Sequence, residues 1–475
     1  MHNEHLISGG AQDLHKLETK IRGLDDILHG GFPKGRTTLI SGGPGSGKSV
    51  IGLEFICRGA MSGVPGIFVT FEEPGENIRR NAATLGWDLD ALEENGTLFA
   101  LDARVDPEAA VSGHFNLQAF LAVLEAKVRE TGAARIVIDA LDGLMRFFPG
   151  REQQQNQLLV LHRWLMEHGM TSVLTSKSQT GPGTPNHFDF LDFLADCVLY
   201  LDQEIVGRVA TKTLRVVKFR GSAYGGNAYP FVVTQEGVSF RPITNVEMHY
   251  EMPAAWESSG NEDLDAILGG GYHRGRCVLI AGETGTGKTS MASTFVQAAC
   301  GAGQRALYVN YEESREGLLA GMRSMGIDLG PAIEDSLLEI LPLMPESMGM
   351  EEHLFLLHKT VEDFRPDHVV VDAISACRRI AGEEAAFDFL VRLVSACRER
   401  GITVMLINQV RGTFDRQELS GVGISSIIDT IVTLHYRNVR DEVQRFLLIM
   451  KARGNRHSNK YHRFLLTDRG IQIER

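Results

Sequence analysis

Short apolar runs alternate along this chain with longer stretches whose apolar residues recur at helical spacing. Residues 37–41 read as a strand, the segment opening at Lys48 as a helix, 66–71 as a second strand, and the next helix runs through Leu85. Further on, 135–139 reads as a strand, about 153–168 as a helix and 171–175 as another strand. Strands separated by helices of this length predict a parallel sheet with helical crossovers, because parallel neighbours cannot be joined by a tight turn.

The pattern then repeats. Leu24-Asp25-Asp26-Ile27-Leu28 followed by Gly30-Gly31 recurs as Leu264-Asp265-Ala266-Ile267-Leu268 followed by Gly270-Gly271, 240 positions later (264 − 24). Beyond the pairs Glu72-Glu73 and Glu312-Glu313 the offset falls to 233, as Asp139 and Asp372 show (372 − 139). One duplication explains both offsets and excludes a solenoid, whose repeats run to about 20–50 residues. The polar stretch from Arg241 to Gly260 contains Pro and Ser and reads as a linker. The expected domains are 1–244 and 245–475, each α/β with a mainly parallel sheet flanked by helices.

Composition agrees. A chain of 475 residues exceeds what one core usually organises. With 43% hydrophobic and 23% charged residues it can fill its cores, which excludes disorder. The balance of 48 Lys+Arg against 60 Asp+Glu gives −12, the reverse of a duplex-DNA binder. No basic, apolar leader opens the chain and no apolar run could span a bilayer, so a soluble, cytoplasmic protein is expected, without a membrane partner. The six cysteines form no C-x-x-C pair and are expected as core thiols.

Between a strand and a helix in each half lies G-x-x-x-x-G-K-[ST], at Gly42 to Ser49 and at Gly282 to Thr289. Glycines let backbone N–H groups close around phosphate oxygens, the lysine neutralises β/γ charge, and the final hydroxyl serves Mg²⁺. ATP and Mg²⁺ are therefore expected at Gly45, Ser46, Gly47, Lys48, Ser49 and Val50, and at Thr284, Gly285, Thr286, Gly287, Lys288, Thr289 and Ser290.

Asp139 and Asp372 each close an apolar strand. An acid there either meets the Mg²⁺ shell or caps a helix. Glu72-Glu73 and Glu312-Glu313 follow strands, where a carboxylate can orient water or deprotonate a hydroxyl; the other reading is a solvated acidic turn. Lys218-x-Arg220 and Lys451-x-Arg453 end late strands and are either cations for a γ-phosphate or surface charge.

These motifs, in this order, with Thr70-Phe71-Glu72-Glu73 in the first half and Tyr311-Glu312-Glu313-Ser314-Arg315 and Pro345-Glu346-Ser347 in the second, closely resemble the circadian clock ATPase KaiC and its homologues. The resemblance runs from about Gly23 to Gly470 and implies tandem RecA-like P-loop domains in a double-ring homohexamer, with ATP between subunits. It implies a first-ring ATPase and a second-ring autokinase, with each Lys-x-Arg pair acting on a neighbour's nucleotide. Ser49, Thr289 and Glu312 are then expected at Mg²⁺, and Thr84, Ser222, Arg445 and His457 along nucleotide sites. Met325 stands where the clock proteins have Trp.

The family's phosphorylation segment corresponds to Ile424-Ser425-Ser426-Ile427-Ile428-Asp429-Thr430. The 233 offset maps Ser425 to Asp192 and Ser426 to Phe193, so only the second half has hydroxyl acceptors there. Read without the resemblance, these serines suit a helix start or turn. The segment Val111-Ser112-Gly113-His114-Phe115-Asn116-Leu117 resembles the one by which KaiC first rings meet KaiB-type proteins, with Asn116 also a candidate cap. After the match of 234–240 with 467–473 only Glu474 and Arg475 remain, so neither the family's regulatory tail nor a KaiA-type activator is expected. The rival reading is a RecA/RadA-like DNA-dependent ATPase, which would want basic DNA loops, and RadA proteins add a zinc ribbon.

Overall fold

The computed structural model describes residues 15–104, 115–177, 189–206, 209–240, 255–410 and 426–474. Its contacts divide the chain into two compact units, the first formed by Met1–Glu204 and Ala210–Ile243 and the second built on Thr244–Arg475.

The first unit's strands are β1 (Thr37–Gly42), β2 (Gly66–Thr70), β3 (Leu98–Asp102), β4 (Arg135–Asp139), β5 (Thr171–Lys177), β6 (Cys197–Val206), β7 (Val209–Phe219), β8 (Ala228–Thr234) and β9 (Gly237–Phe240). Among the described residues they form one nine-stranded sheet in the order β9-β8-β7-β6-β1-β5-β4-β2-β3. β1 lies parallel to both β5 and β6, and the parallel set continues through β4, β2 and β3.

The second unit repeats this with β10 (Cys277–Gly282), β11 (Ala306–Asn310), β12 (Leu338–Pro342), β13 (His368–Asp372), β14 (Thr403–Gln409), β15 (Thr430–Val439), β16 (Glu442–Ala452), β17 (His462–Thr467) and β18 (Gly470–Ile473). Its order is β12-β11-β13-β14-β10-β15-β16-β17-β18, with β15 to β18 antiparallel to one another. These are the expected mainly parallel, helix-flanked sheets.

Both faces of each sheet are covered, which explains the unbroken apolar runs in the sequence. Successive side chains of a strand point to opposite faces. Ile40, Phe68 and Val137 accordingly enter one buried cluster, and Leu39, Ile67, Val69, Ile136 and Ile138 the other. In the second unit Ile280, Tyr308 and Val370 lie on one side, and Leu279, Leu307, Val309 and Val371 on the other.

Element limits shift slightly from the sequence pattern. The helix expected from about 153 begins at Arg151, and β5 runs on to Lys177. β2 stops at Thr70, and Phe71 N makes the last ladder bond of the pair, to Asp139 O (2.8 Å). All six cysteines are free and buried, and burial raises the thiols of Cys57, Cys197 and Cys397 to about 12. Among the described residues no helix is long and apolar enough to cross a membrane.

Candidate functional site

Each glycine-rich loop leaves the carboxyl end of its sheet's central parallel strand and runs into a helix, Lys48–Met61 or Lys288–Gly301. The residues before those helices, Gly47 and Gly287, have φ of 100° and 104°, a backbone that a side chain would strain. Lys48 Nζ donates to Gly42 O (2.8 Å) and Gly43 O (2.7 Å), and Lys288 Nζ donates to Glu283 O (2.8 Å). Both lysines are buried, and burial lowers both pKa values against the raising fields of Asp139 and Asp372. Ser46 and Thr286 hydroxyls close the turns on Gly43 O and Glu283 O.

Asp139 and Asp372 meet the loop hydroxyls directly. Ser49 Oγ donates to Asp139 Oδ1 (3.1 Å) and Thr289 Oγ1 to Asp372 Oδ2 (2.8 Å). Each carboxylate has a second donor: Thr175 for Asp139 and the Tyr308 hydroxyl for Asp372. Burial nevertheless holds both carboxyls above the ordinary carboxylate range, with those hydrogen bonds opposing it. A hydroxyl beside a buried carboxylate is a hard-oxygen donor set suited to Mg²⁺. Neither aspartate caps a helix through its side chain: Ala140 precedes the helix after Asp139, and Ile374 the helix after Asp372.

The acid pairs sit in side-chain-built turns. Glu312 N and Glu313 N both donate to Asn310 Oδ1 (3.0 and 3.1 Å), while Glu73 N donates to Thr70 Oγ1 (3.2 Å). Asn and Thr at a strand end offer the side-chain oxygen such a turn needs. Glu72 Oε1 pairs with Lys177 Nζ at 2.7 Å and stands 3.6 Å from Arg146. Glu73 Oε2 accepts from Asn81 Nδ2 (3.2 Å), and Thr84 ends that helix with its hydroxyl on Asn81 O.

The Lys-x-Arg pairs lie elsewhere. Asp196 N donates to Thr37 O, at the start of β1, and Arg220 N donates to Asp196 O (2.8 Å). Lys218 Nζ donates to Asp192 O (2.6 Å) and Ala195 O (2.7 Å), and Arg220 Nη2 to Phe193 O (2.8 Å). The glycine-rich loop leaves the other end of β1, about 17 Å away at roughly 3.3 Å per residue. The second half matches: Asp429 N donates to Cys277 O at the start of β10, and Arg453 N to Asp429 O (3.0 Å). Lys451 Nζ donates to Ile428 O (2.6 Å), and Arg453 stands 3.7 Å from Asp429 Oδ1. Burial lowers the pKa of Lys218 and of Lys451, and the adjacent arginine lowers each further.

A family model described as the KaiC ATPase matches residues 17–245 and 258–475. The circadian clock protein KaiC2 of a Synechocystis species is 36% identical over 97% of this chain and 81% of its own length. The circadian clock oscillator proteins KaiC of Parathermosynechococcus lividus and Synechococcus elongatus are 35% and 33% identical, over 96% and 98% of this chain and 85% and 90% of their own lengths. The chain belongs to the KaiC ATPase family. Its halves are RecA-like P-loop ATPase repeats that bind nucleotide.

Within this KaiC-family frame the expected residues separate into two groups. Loop, strand-end aspartate and glutamate pair converge at the carboxyl ends of the parallel strands, where Arg445 also reaches Gly285 O (3.3 Å) in its own half. The Lys-x-Arg pairs gather at the opposite end. Ser222 is held by Lys16 Nζ (2.7 Å), and His457 has a buried Nδ1 with no hydrogen-bond partner. Val50 is half-buried in the first turn of its helix, and Ser290 Oγ donates to the Met325 sulfur (3.6 Å). Ser426 is exposed; Ser425 and 111–114 lie outside the described residues. Asn116 caps its helix, its Oδ1 accepting from Gln118 N and Ala119 N.

Four residues at these sites escaped the sequence reading. Thr175, Lys177, Asp142 and Tyr308 reach the site across strands, Asp142 through its bond from Lys177 N (2.7 Å). A polar residue at an inward position of an apolar strand was the available signal for Thr175 and Tyr308.

Proposed function

We propose that this KaiC-family chain is an ATP-hydrolysing protein that assembles as a double-ring homohexamer and phosphorylates serines in its own second half. One observation carries the reading: in both halves the Lys-x-Arg pair lies at the opposite end of the sheet from the glycine-rich loop of the same half. Cations so placed reach a γ-phosphate only on a neighbouring copy, and a closed ring supplies every loop with one. The functional units are 1–244 and 245–475.

Bound Mg·ATP supplies the transferable phosphoryl group. Lys48 and Lys288 exchange loop carbonyls for phosphate oxygens, and the amides of Gly45 to Val50 and Thr284 to Ser290 surround them. Ser49 beside Asp139, and Thr289 with Glu312 beside Asp372, hold Mg²⁺. Glu72 and Glu73 orient water in the first half. In the second, Glu312, with Glu313 next to it, takes the proton of a serine hydroxyl. Thr84, Ser222, Arg445 and His457 border the nucleotide, and Lys218, Arg220, Lys451 and Arg453 steady the transferred group from the adjoining copy.

The acceptors are Ser425 and Ser426. Ser426 precedes Asp429 by three positions, so it belongs to the same end of the sheet as Lys451 and Arg453 and to the same neighbouring nucleotide. A KaiB-type protein on the first half completes the proposal, to be tested by nucleotide-dependent pull-down.

Mixing tests the assembly. A Lys48→Ala chain and an Arg220→Ala chain, each inactive in first-half hydrolysis, should regain activity together, because a mixed ring restores some complete interfaces. No recovery, with native mass spectrometry showing mixed hexamers, would refute action across subunits.

A further inference from the structure

Lys177 ends β5, the strand beside the central strand, and its register partner is Gly42, the first residue of the glycine-rich loop. Its ammonium is 2.7 Å from Glu72 Oε1, and its own N–H is fixed by Asp142 Oδ2 (2.7 Å). It also lies close enough to Lys48 to lower that lysine's pKa. A cation therefore stands beside both the loop lysine and the carboxylate read above as the water-orienting group. The second half has Gln409 at the matching position, in the same register with Gly282, uncharged and with its amide Nε2 donating to Thr284 Oγ1 (2.5 Å).

We propose that Lys177 is a γ-phosphate sensor of the first half that trades partners with the nucleotide. With ADP bound, its ammonium keeps the pairing with Glu72 described above. With ATP bound, the γ-phosphate offers a denser negative charge at the loop, Lys177 turns to it, and Glu72 is released to orient water. The flexible stem makes the exchange possible: Lys177 is 46% exposed and its Glu72 partner 23%. Arg146, 70% exposed and 3.6 Å from Glu72, is left as the weaker partner of the carboxylate. The second half cannot run this exchange, because Gln409 has no charge to trade, so the two halves should discriminate ATP from ADP differently. This inference rests on the proposed reading of the loop and Glu72.

The test uses the full chain with Lys288→Ala to silence the second loop, and reads affinity for ADP and for a non-hydrolysable ATP analogue by calorimetry with Mg²⁺. Lys177→Met should weaken the analogue about tenfold, the loss of one charge-assisted contact, while leaving ADP nearly unchanged. Lys177→Arg should keep most of the discrimination. Glu72→Gln should tighten the analogue by removing the competing partner, and that gain should vanish when Lys177→Met is added. If Lys177→Met shifts both ligands equally, or neither, Lys177 is only a structural partner of Glu72 and the proposal is wrong. If the parent binds neither ligand, the nucleotide reading of the loop falls first, and the sensor with it.

Discussion

The hydroxyl of Tyr308 donates to Asp372 Oδ2 at 2.8 Å, whereas the matching position of the first half is Phe68. Asp139 takes its second donor from Thr175 instead, a residue whose counterpart, Ile407, has no side-chain donor to give. The two repeats thus solve one problem, a buried carboxylate beside a loop hydroxyl, from different strands. Tyr308→Phe should destabilise the second half by about 1–3 kcal/mol, because a buried acceptor loses its donor. Urea unfolding without nucleotide checks this; an unchanged midpoint would mean that the hydroxyl contributes nothing.

The acid pairs are separable by substitution. Glu72→Gln with Glu73→Gln keeps shape and removes basicity, so first-half hydrolysis should fall about 10²–10⁴-fold while nucleotide stays bound. Phosphate release in a chain also carrying Glu312→Gln and Glu313→Gln isolates the effect. Unaltered release there would contradict both assignments.

Phosphate should appear only in the second half. Protein given Mg·ATP and mapped by peptide mass spectrometry should carry label on Ser425 or Ser426, and Ser425→Ala with Ser426→Ala should abolish it. The first half offers Asp192 and Phe193 at those positions, with no hydroxyl to attack. Label on any first-half residue would break the assignment.

Acid should weaken the second half through its histidines. Burial, with Arg437 adding to it, lowers His435 to about 4, and burial also lowers His353 and His368. Between about 6.5, the unfolded value, and that folded value, the unfolded chain takes up protons that the folded chain refuses. Stability is therefore complete above that window and lost as pH falls through it. Thermal melts of wild type and His435→Gln across this range should show a shallower loss in the variant; identical slopes would remove His435 from the account.

What was legible in the sequence is what chemistry requires to be contiguous. A phosphate cradle needs its glycines, lysine and hydroxyl within one turn, so both loops could be read directly, and duplication exposed the aspartates, the acid pairs and Lys-x-Arg by their common offsets. The alternation of strands and helices followed from periodicity, because both sheet faces are buried and every strand carries an apolar run.

Tertiary structure decided which of these residues meet. Thr175 reaches Asp139 across 36 positions, Tyr308 reaches Asp372 across 64 and Lys177 reaches Glu72 across 105, through strands whose order in the sheet is not their order in the chain. It also decided the end of the sheet at which Lys218 and Arg220 emerge. β6 runs parallel to β1, the chain then turns back along β7, and that reversal carries the cations away from their own loop. No local signal encodes it, because direction in a sheet is a property of pairing between strands and not of any one of them.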